Sequence, residues 1–265
     1  MRTECKSTAN RYVTPILLPI LAILLSGHAA GSDTASSPIA TDRPAITDSS
    51  VVVPLGSLQF ENGTAESARN GLRIFDGPES LLRFGVLAKT ELRLTAPDYS
   101  GEFTASSGFG DFSIGTKQQL GPILGGFDIS LVLSLSLPTG ARGVSSGGYD
   151  PSVQLPWSRE LSPSWTVAGM LSAYWPTEDG RRNMTGETTF LFDRRISESW
   201  DVFIEYAGDF TERGGSRHLA HLGTAYKLTP HQQLDVHLGL GLSSGAANHL
   251  IGIGYSFRFQ SFRTR

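Results

Sequence analysis

Ionisable side chains recur at even spacings along several segments of this 265-residue sequence, and His221, Asp235 and His237 stand near one another in it. Acid–base or nucleophilic chemistry would need more than their presence. A Ser–His–acid relay requires a hydroxyl activated by histidine and a carboxylate that orients the imidazole. Asp235 and His237 stand two apart, on one face of a strand, yet no serine is marked by a strained turn. No histidines fall at zinc-ligand spacing, and the acidic run from Asp98 to Glu102 lacks the spacing of a calcium loop. Gly108-Phe109-Gly110-Asp111 has the glycines of a phosphate loop but no helix after it. The expectation is no enzyme, no metal and no cofactor.

The same residues could line a wet passage. Glu61, Arg83, Glu91, Arg93, Asp111, Lys117, Glu187, Glu205, His221, Lys227, Asp235, His237 and Arg258 all fall on the polar parity of alternating segments. In a closed barrel they would face the lumen, where rings of charge set selectivity. Equally, they could satisfy one another and block that lumen, since buried charges must be paired or wet.

The elements that must position them are read from four C-terminal segments. Trp200, Val202, Ile204 and Tyr206 alternate with Asp201, Phe203 and Glu205; Leu234, Val236, Leu238 and Leu240 alternate with Gln233, Asp235, His237 and Gly239. Ala220 to Leu228 and Ile251 to Phe259 repeat the pattern. Successive strand side chains point to opposite faces, so each segment has one apolar and one polar face. Strands of about ten residues with charged and small groups on one face and Leu, Ile and aromatic residues on the other suit a transmembrane β-barrel. Strands are expected near 57–66, 80–86, 90–96, 110–119, 127–138, 150–160, 165–175, 185–195, 200–208, 218–227, 232–242 and 249–259. Short turns alternate with longer loops at 67–79, 97–109, 139–149, 176–184, 209–217 and 243–248. That asymmetry predicts an all-β, antiparallel transmembrane β-barrel of about twelve strands with both termini periplasmic. Trp157, Trp165 and Trp200 near the turns, with Trp175 and Tyr206 near the loops, would form interfacial girdles.

Composition fits this class. The 39% hydrophobic content would look soluble, but alternation averages away in any such index, and the 30 glycines suit a crowded interior. A net charge of −3 argues against nucleic acid as a partner. Arg2, Lys6 and Arg11 precede the apolar run from Val13 to Leu25, and Gly27, Ala29 and Ala30 follow it, so residues 1–29 read as a signal peptide. Its removal would take away Cys5, the only cysteine. Residues 30–56 read as a flexible leader and then a strap; Pro44 and Pro54 keep the strap out of any ladder, and it could plug the periplasmic mouth with Asp42 and Arg43 pairing to lumen charges. The barrel is expected over 57–259, and 260–265 as a short tail.

Several of these stretches resemble one family. Thr41-Asp42-Arg43-Pro44, Leu58-Gln59-Phe60-Glu61, Leu81-Leu82-Arg83-Phe84-Gly85-Val86, Glu91-Leu92-Arg93-Leu94, Gly110-Asp111-Phe112 through Lys117, and Leu135-Ser136-Leu137-Pro138-Thr139-Gly140 are similar, in order, to the bacterial outer-membrane transporters of the meta-pathway of phenol degradation. The resemblance implies a channel in the cell outer membrane and suggests hydrophobic or aromatic solutes. The expected function is passive or facilitated passage of small molecules; the alternative is a structural or interaction barrel that presents its loops. Expected partners are outer-membrane lipid, lipopolysaccharide at Arg181 and Arg182, and a small-molecule solute. Oligomeric state is left open.

Overall fold

The computed structural model describes residues 37–260 except 70, 103–106, 124 and 214. The expected signal peptide, the leader as far as residue 36 and the tail from 261 lie outside the described residues. In chain order the strands are β1 (Ser57–Arg69), β2 (Leu72–Gly77), β3 (Leu81–Leu87), β4 (Thr90–Thr95), β5 (Tyr99–Glu102), β6 (Ser107–Phe109), β7 (Phe112–Gln119) and β8 (Asp128–Leu137). There follow β9 (Asp150–Ser162), β10 (Trp165–Tyr174), β11 (Thr177–Glu178), β12 (Arg181–Arg182), β13 (Thr185–Arg195), β14 (Trp200–Thr211), β15 (Gly215–Thr229), β16 (Gln232–Gly241) and β17 (His249–Gln260).

Twelve strands close the wall in the order β1, β3, β4, β7, β8, β9, β10, β13, β14, β15, β16 and β17, and β17 pairs back onto β1, all antiparallel. Closure leaves none of these twelve strands at the edge of an open sheet. The strap and the end of β17 sit at the end that carries the short turns; the longer connections gather at the other.

Where the spacing predicts loops at 67–79 and 97–109, the chain instead continues as wall. β2 pairs with β1 and β5, and β5 with β6, so these three pieces carry β3, β4 and β7 upward. The interruptions fall at Pro78, Pro97 and Gly110, where proline donates nothing to a ladder. Backbone bonds nevertheless cross each break, from Glu79 N to Gly63 O, Ala96 N to Ser80 O and Gly110 N to Asp98 O. Similarly β14 and β15 run through most of 209–217. At residues 177–182 a two-strand ribbon turns on Asp179 and Gly180, both at positive φ, the conformation a tight hairpin demands.

The alternation sets the two faces. Glu205 and Asp235 are each 2% exposed and Lys117 is 0% exposed, while their chain neighbours Ile204 and Val236 are 61% and 45% exposed. So wide a band of bare Leu, Ile, Val and Phe exceeds what a water-facing surface carries, and it suits hydrocarbon, where every backbone polar group must be satisfied within the wall. Trp165 and Trp200 project from the short-turn end; the Arg194 guanidinium lies 5.2 Å from the Trp165 ring, and Trp200 Nε1 donates to Thr224 Oγ1 at 2.7 Å.

Candidate functional site

The lumen is organised by the strap. It enters at the short-turn end, where Ile39 N donates to Pro230 O at 2.7 Å and the Arg258 guanidinium donates to Ser37 O. It rises to mid-height at Ile46 and Thr47, then descends to Val53 and joins β1. Bonds tie it to β1, β3, β4, β7, β8, β9, β13, β14, β16 and β17.

On the wall made by β1, β3, β4 and β7 those bonds form one ionic cluster. Asp42 sits at its centre: its carboxylate accepts from Lys117 Nζ at 2.9 Å and from Arg93 Nη1 at 2.6 Å, and lies 3.2 Å from Arg83 Nη1. Burial works to raise the Asp42 carboxyl, but the Arg83, Lys117 and Arg93 charges overcome it and hold it well below the usual carboxylate range. Arg83 donates to Glu61 Oε1 at 2.9 Å and to both oxygens of Glu91 at 2.8 and 2.9 Å. Glu61 and Glu91 in turn accept strap amides, from Asp42 N at 2.8 Å and Val53 N at 2.7 Å. Arg93 also reaches Asp48, and Lys117 the carbonyl of Ser49. Register explains why the sequence carries these charges: Glu91 faces Lys117 directly across β4 and β7.

Arg43 lies over β1, pairing on one side with Glu79 in the β2–β3 break and on the other with Asp235 Oδ1 at 3.4 Å. It lies flat against Gly63 and Gly254, which face each other across β1 and β17; a Cβ on either would collide with the guanidinium. Glycine is required there for close approach, not for a turn.

At mid-height Glu205 holds the strap's apex. Its carboxylate accepts from Ile46 N at 2.9 Å, Thr47 N at 2.7 Å and Thr47 Oγ1 at 2.6 Å. His221, directly opposite Glu205 in the ladder, places Nδ1 2.7 Å from that carboxylate and Nε2 2.9 Å from His237 Nδ1. Sequence reading grouped His221 and His237 with Asp235; the fold replaces Asp235 by Glu205 because register, not sequence distance, decides which carboxylate meets the imidazole.

The strap leaves space along the opposite wall. A cavity of about 320 Å³ opens at the short-turn end between the strap and β9 to β16, reaching Asp193, Asp201 and Lys227. Beyond Ile46 lies one of about 240 Å³, and above it a vestibule of about 380 Å³ at the loop end; the upper two share Glu187, Asp209 and Arg217. The three are in line along β10 to β15, interrupted where Thr47 meets Glu205.

Most of the thirteen expected lumen residues are therefore inside but committed to partners. Glu61, Arg83, Glu91, Arg93, Lys117, Glu205, His221, Asp235, His237 and Arg258 are buried. Glu187 borders the loop-side cavities, accepting from Tyr174 Oη at 3.1 Å, and Lys227 pairs with Asp201 at the short-turn mouth. Asp111 is placed differently. It precedes β7, and its carboxylate accepts from Thr139 N, Gly140 N and Ser146 N at 2.9, 2.8 and 3.1 Å, fastening the β8–β9 connection. Asp48, Glu79 and Thr47 also belong to the strap's contacts, and nothing in a strand pattern marks residues outside strands; Gln233, on the polar side of β16, joins them by donating to Thr41 Oγ1 at 2.8 Å.

The sequence matches the family model described as "Putative MetA-pathway of phenol degradation" over residues 41–259. Among solved structures, an outer membrane channel of the COG4313 group from Pseudomonas putida F1 is similar at 13% identity and a TM-score of 0.59, over 79% of this chain and 97% of that one. NanC porin is similar at 8% identity and a TM-score of 0.55 (76% of this chain, 98% of that one), and KdgM porin at 12% and 0.53 (77% and 99%). At these identities the likeness is one of fold. No curated protein matches the chain.

Proposed function

The chain belongs to the family described as "Putative MetA-pathway of phenol degradation", and from that premise we propose that it is a channel of the cell outer membrane that passes small solutes, hydrophobic or aromatic ones by family. Residues 1–29 direct export and are removed; both ends of the mature chain face the periplasm. Residues 30–56 act as leader and plug, with Asp42 and Arg43 as the plug's charged anchors. Lipid surrounds the apolar belt, and lipopolysaccharide meets Arg181 and Arg182 on the ribbon at the loop end.

The carrying observation is an uneven fit. The Asp42 ion cluster packs the strap against the β1–β7 wall, while towards β9 to β14 it touches the wall only at points such as Ser50–Ser158, Thr47–Thr189 and Thr47–Glu205 and leaves three cavities in line along β10 to β15. A plug meant only to seal the barrel would fill both sides. Solute then passes along the second wall, and the Thr47–Glu205 contact is the narrow point between the cavities. This reading gives the inward charges two jobs, anchoring on one wall and lining on the other.

The test is ion conductance in planar bilayers for the full mature chain and for a form lacking residues 31–50. Deletion should raise single-channel conductance several-fold. An unchanged value would defeat the plug; a wild type that neither conducts ions nor swells liposomes with any of a panel of small solutes would defeat the channel.

A further inference from the structure

At the strap's apex three inward rings lie side by side on β14, β15 and β16, each opposite a glycine. Phe203 faces Gly223, His221 faces Gly239 and His237 faces Gly252. The glycines give the rings room to lie against the wall: a Cβ at 252 would come within 2.0 Å of His237 Nε2, and one at 223 within 2.6 Å of Phe203. Phe203 meets His221 edge to face with centroids 5.4 Å apart, and the two imidazoles stand at 90° with centroids 5.1 Å apart. Hydrogen bonds then fix how the imidazoles carry their protons. The ionised Glu205 carboxylate offers only lone pairs, so His221 Nδ1 donates to it. In a neutral His221, Nε2 is therefore an acceptor, and His237 Nδ1 donates to it. That leaves His237 Nε2 as a bare lone pair. This atom has no hydrogen-bond partner among the described residues, although His237 is only 7% exposed.

We propose that Glu205, His221 and His237 form a proton relay that sets the strap's grip on the wall, and with it the ion preference of the passage, according to pH. The inference rests on the channel reading and goes beyond it by adding a regulator. A proton from lumen water binds His237 Nε2. The Nδ1 proton of His237 passes to His221 Nε2 along the 2.9 Å bond already in place. His237 is left neutral in its other tautomer, and His221 becomes an imidazolium beside Glu205. Histidine is the side chain that ordinarily changes charge near neutral pH, and in a bonded pair the midpoint belongs to both rings. Glu205 on β14 favours the added charge, Arg43 on the strap opposes it, Asp235 stands two residues along β16, and β17 presents Gly252 and Gly254. One proton has two effects. The layer loses its net negative charge. The carboxylate that held Ile46 N, Thr47 N and Thr47 Oγ1 now shares its charge with an imidazolium, so the strap's bonds lose part of their charge assistance. Falling pH thus loosens the apex and lowers cation preference.

The experiment records single channels of the full mature chain in planar bilayers from pH 8 to pH 4.5, a range in which ordinary carboxylates, with pKa values of about 3.9–4.3, stay mostly ionised. In wild type, open probability should rise several-fold across it, and the reversal potential under a salt gradient should move towards lower cation preference. His221→Gln still donates to Glu205 but cannot become a cation, and should abolish both changes. His237→Phe keeps a ring over Gly252 without the accepting nitrogen and should move the midpoint down by about one pH unit or more, because a buried imidazolium then lacks an acceptor. Asp235→Asn should leave the response in place. A wild type indifferent to pH, an unchanged response in both histidine variants, or its loss in Asp235→Asn overturns the relay. Ring 15N NMR of the same chain in micelles reads the relay without conductance: His221 and His237 should take up the proton at a common midpoint, and rings that stay neutral down to pH 4.5 overturn it. A wild type that conducts without responding to pH loses the relay alone; one that conducts at no pH loses the channel, and the ring spectra still decide the relay.

Discussion

The two walls of this lumen carry the same kinds of residue and use them in opposite ways. On the wall of β1, β3, β4 and β7, every ion of the Asp42 cluster is within bonding reach of an opposite charge, and Arg83, Glu61, Glu91 and Lys117 are all 0% exposed. On the wall from β10 to β15, Glu187, Asp209 and Arg217 border open cavities and are only partly covered. Removing ions from water costs several kcal/mol each unless geometry and extra hydrogen bonds offset it, so a fully buried cluster must be complete to exist at all. Its charges are already committed and unavailable to a passing solute. Pointing inward is thus necessary for lining a passage and far from sufficient; what distinguishes the walls is whether the strap supplies the partner.

The sharpest way to break this contrast is at Asp42. Asp42→Asn removes the charge shared by Arg83, Arg93 and Lys117 while keeping the shape. Each cation retains a second acceptor in Glu61, Glu91, Asp48 or Ser49 O, so the loss should be about 3 kcal/mol, at the low end for breaking a buried pair. Urea unfolding in micelles, followed by tryptophan fluorescence, reads it directly. A carboxyl held low contributes above its unfolded pKa of about 3.9 and loses that contribution only as pH falls towards the folded value. The difference between variant and wild type should therefore stay constant from pH 8 to about pH 4.5. A difference below about 0.5 kcal/mol would mean that the cluster does not anchor the strap.

How much of this was legible follows from the same contrast. Period-two alternation specifies which residues face inward, because a one-residue slip would expose every ion to lipid. The twelve strands and the inward sets in β14 and β16 were read this way. Alternation says nothing of segments without a ladder, so Pro44 and Pro54 marked a strap, but not that its amides would cap Glu61, Glu91 and Glu205. Nor does it set register, which puts Glu205 against His221. The stretches 67–79 and 97–109 break the alternation and read as loops, whereas in the fold the wall resumes beyond Pro78 and Pro97.

A smaller effect on stability, with a larger one on passage, is expected at Glu205. This is where the strap's apex is held to the more open wall. Glu205→Gln keeps one acceptor oxygen for Ile46 N or Thr47 N and replaces the other with a donor that opposes those amides. Loss of charge-assisted bonds of this kind amounts to about 1.5–2 kcal/mol. The apex loosens at the narrow point, so single-channel recordings should show more frequent openings than in Asp42→Asn, whose carboxylate is bonded to Arg83, Arg93 and Lys117 and takes no part in the Thr47–Glu205 contact. If Asp42→Asn opened the channel more readily, the passage would run along the β1–β7 wall and the assignment of the two walls would be reversed.

The smallest effect is expected at Asp111, which tests whether the contrast extends to residues outside the lumen. Its carboxylate is engaged by three amides of the β8–β9 connection, all near water. Asn keeps an acceptor for Thr139 N and Gly140 N through one oxygen and loses the bond from Ser146 N, so the cost should be about 0.5–1 kcal/mol. Ion selectivity, measured as the reversal potential under a salt gradient, should not move, because no part of the side chain borders the three cavities in line. By comparison, Arg217→Gln, where the two upper cavities meet, removes a positive charge from the proposed passage and should shift that potential towards greater cation preference. A shift in Asp111→Asn as large as that in Arg217→Gln would put Asp111 back on the conducting surface, where its strand parity alone had placed it.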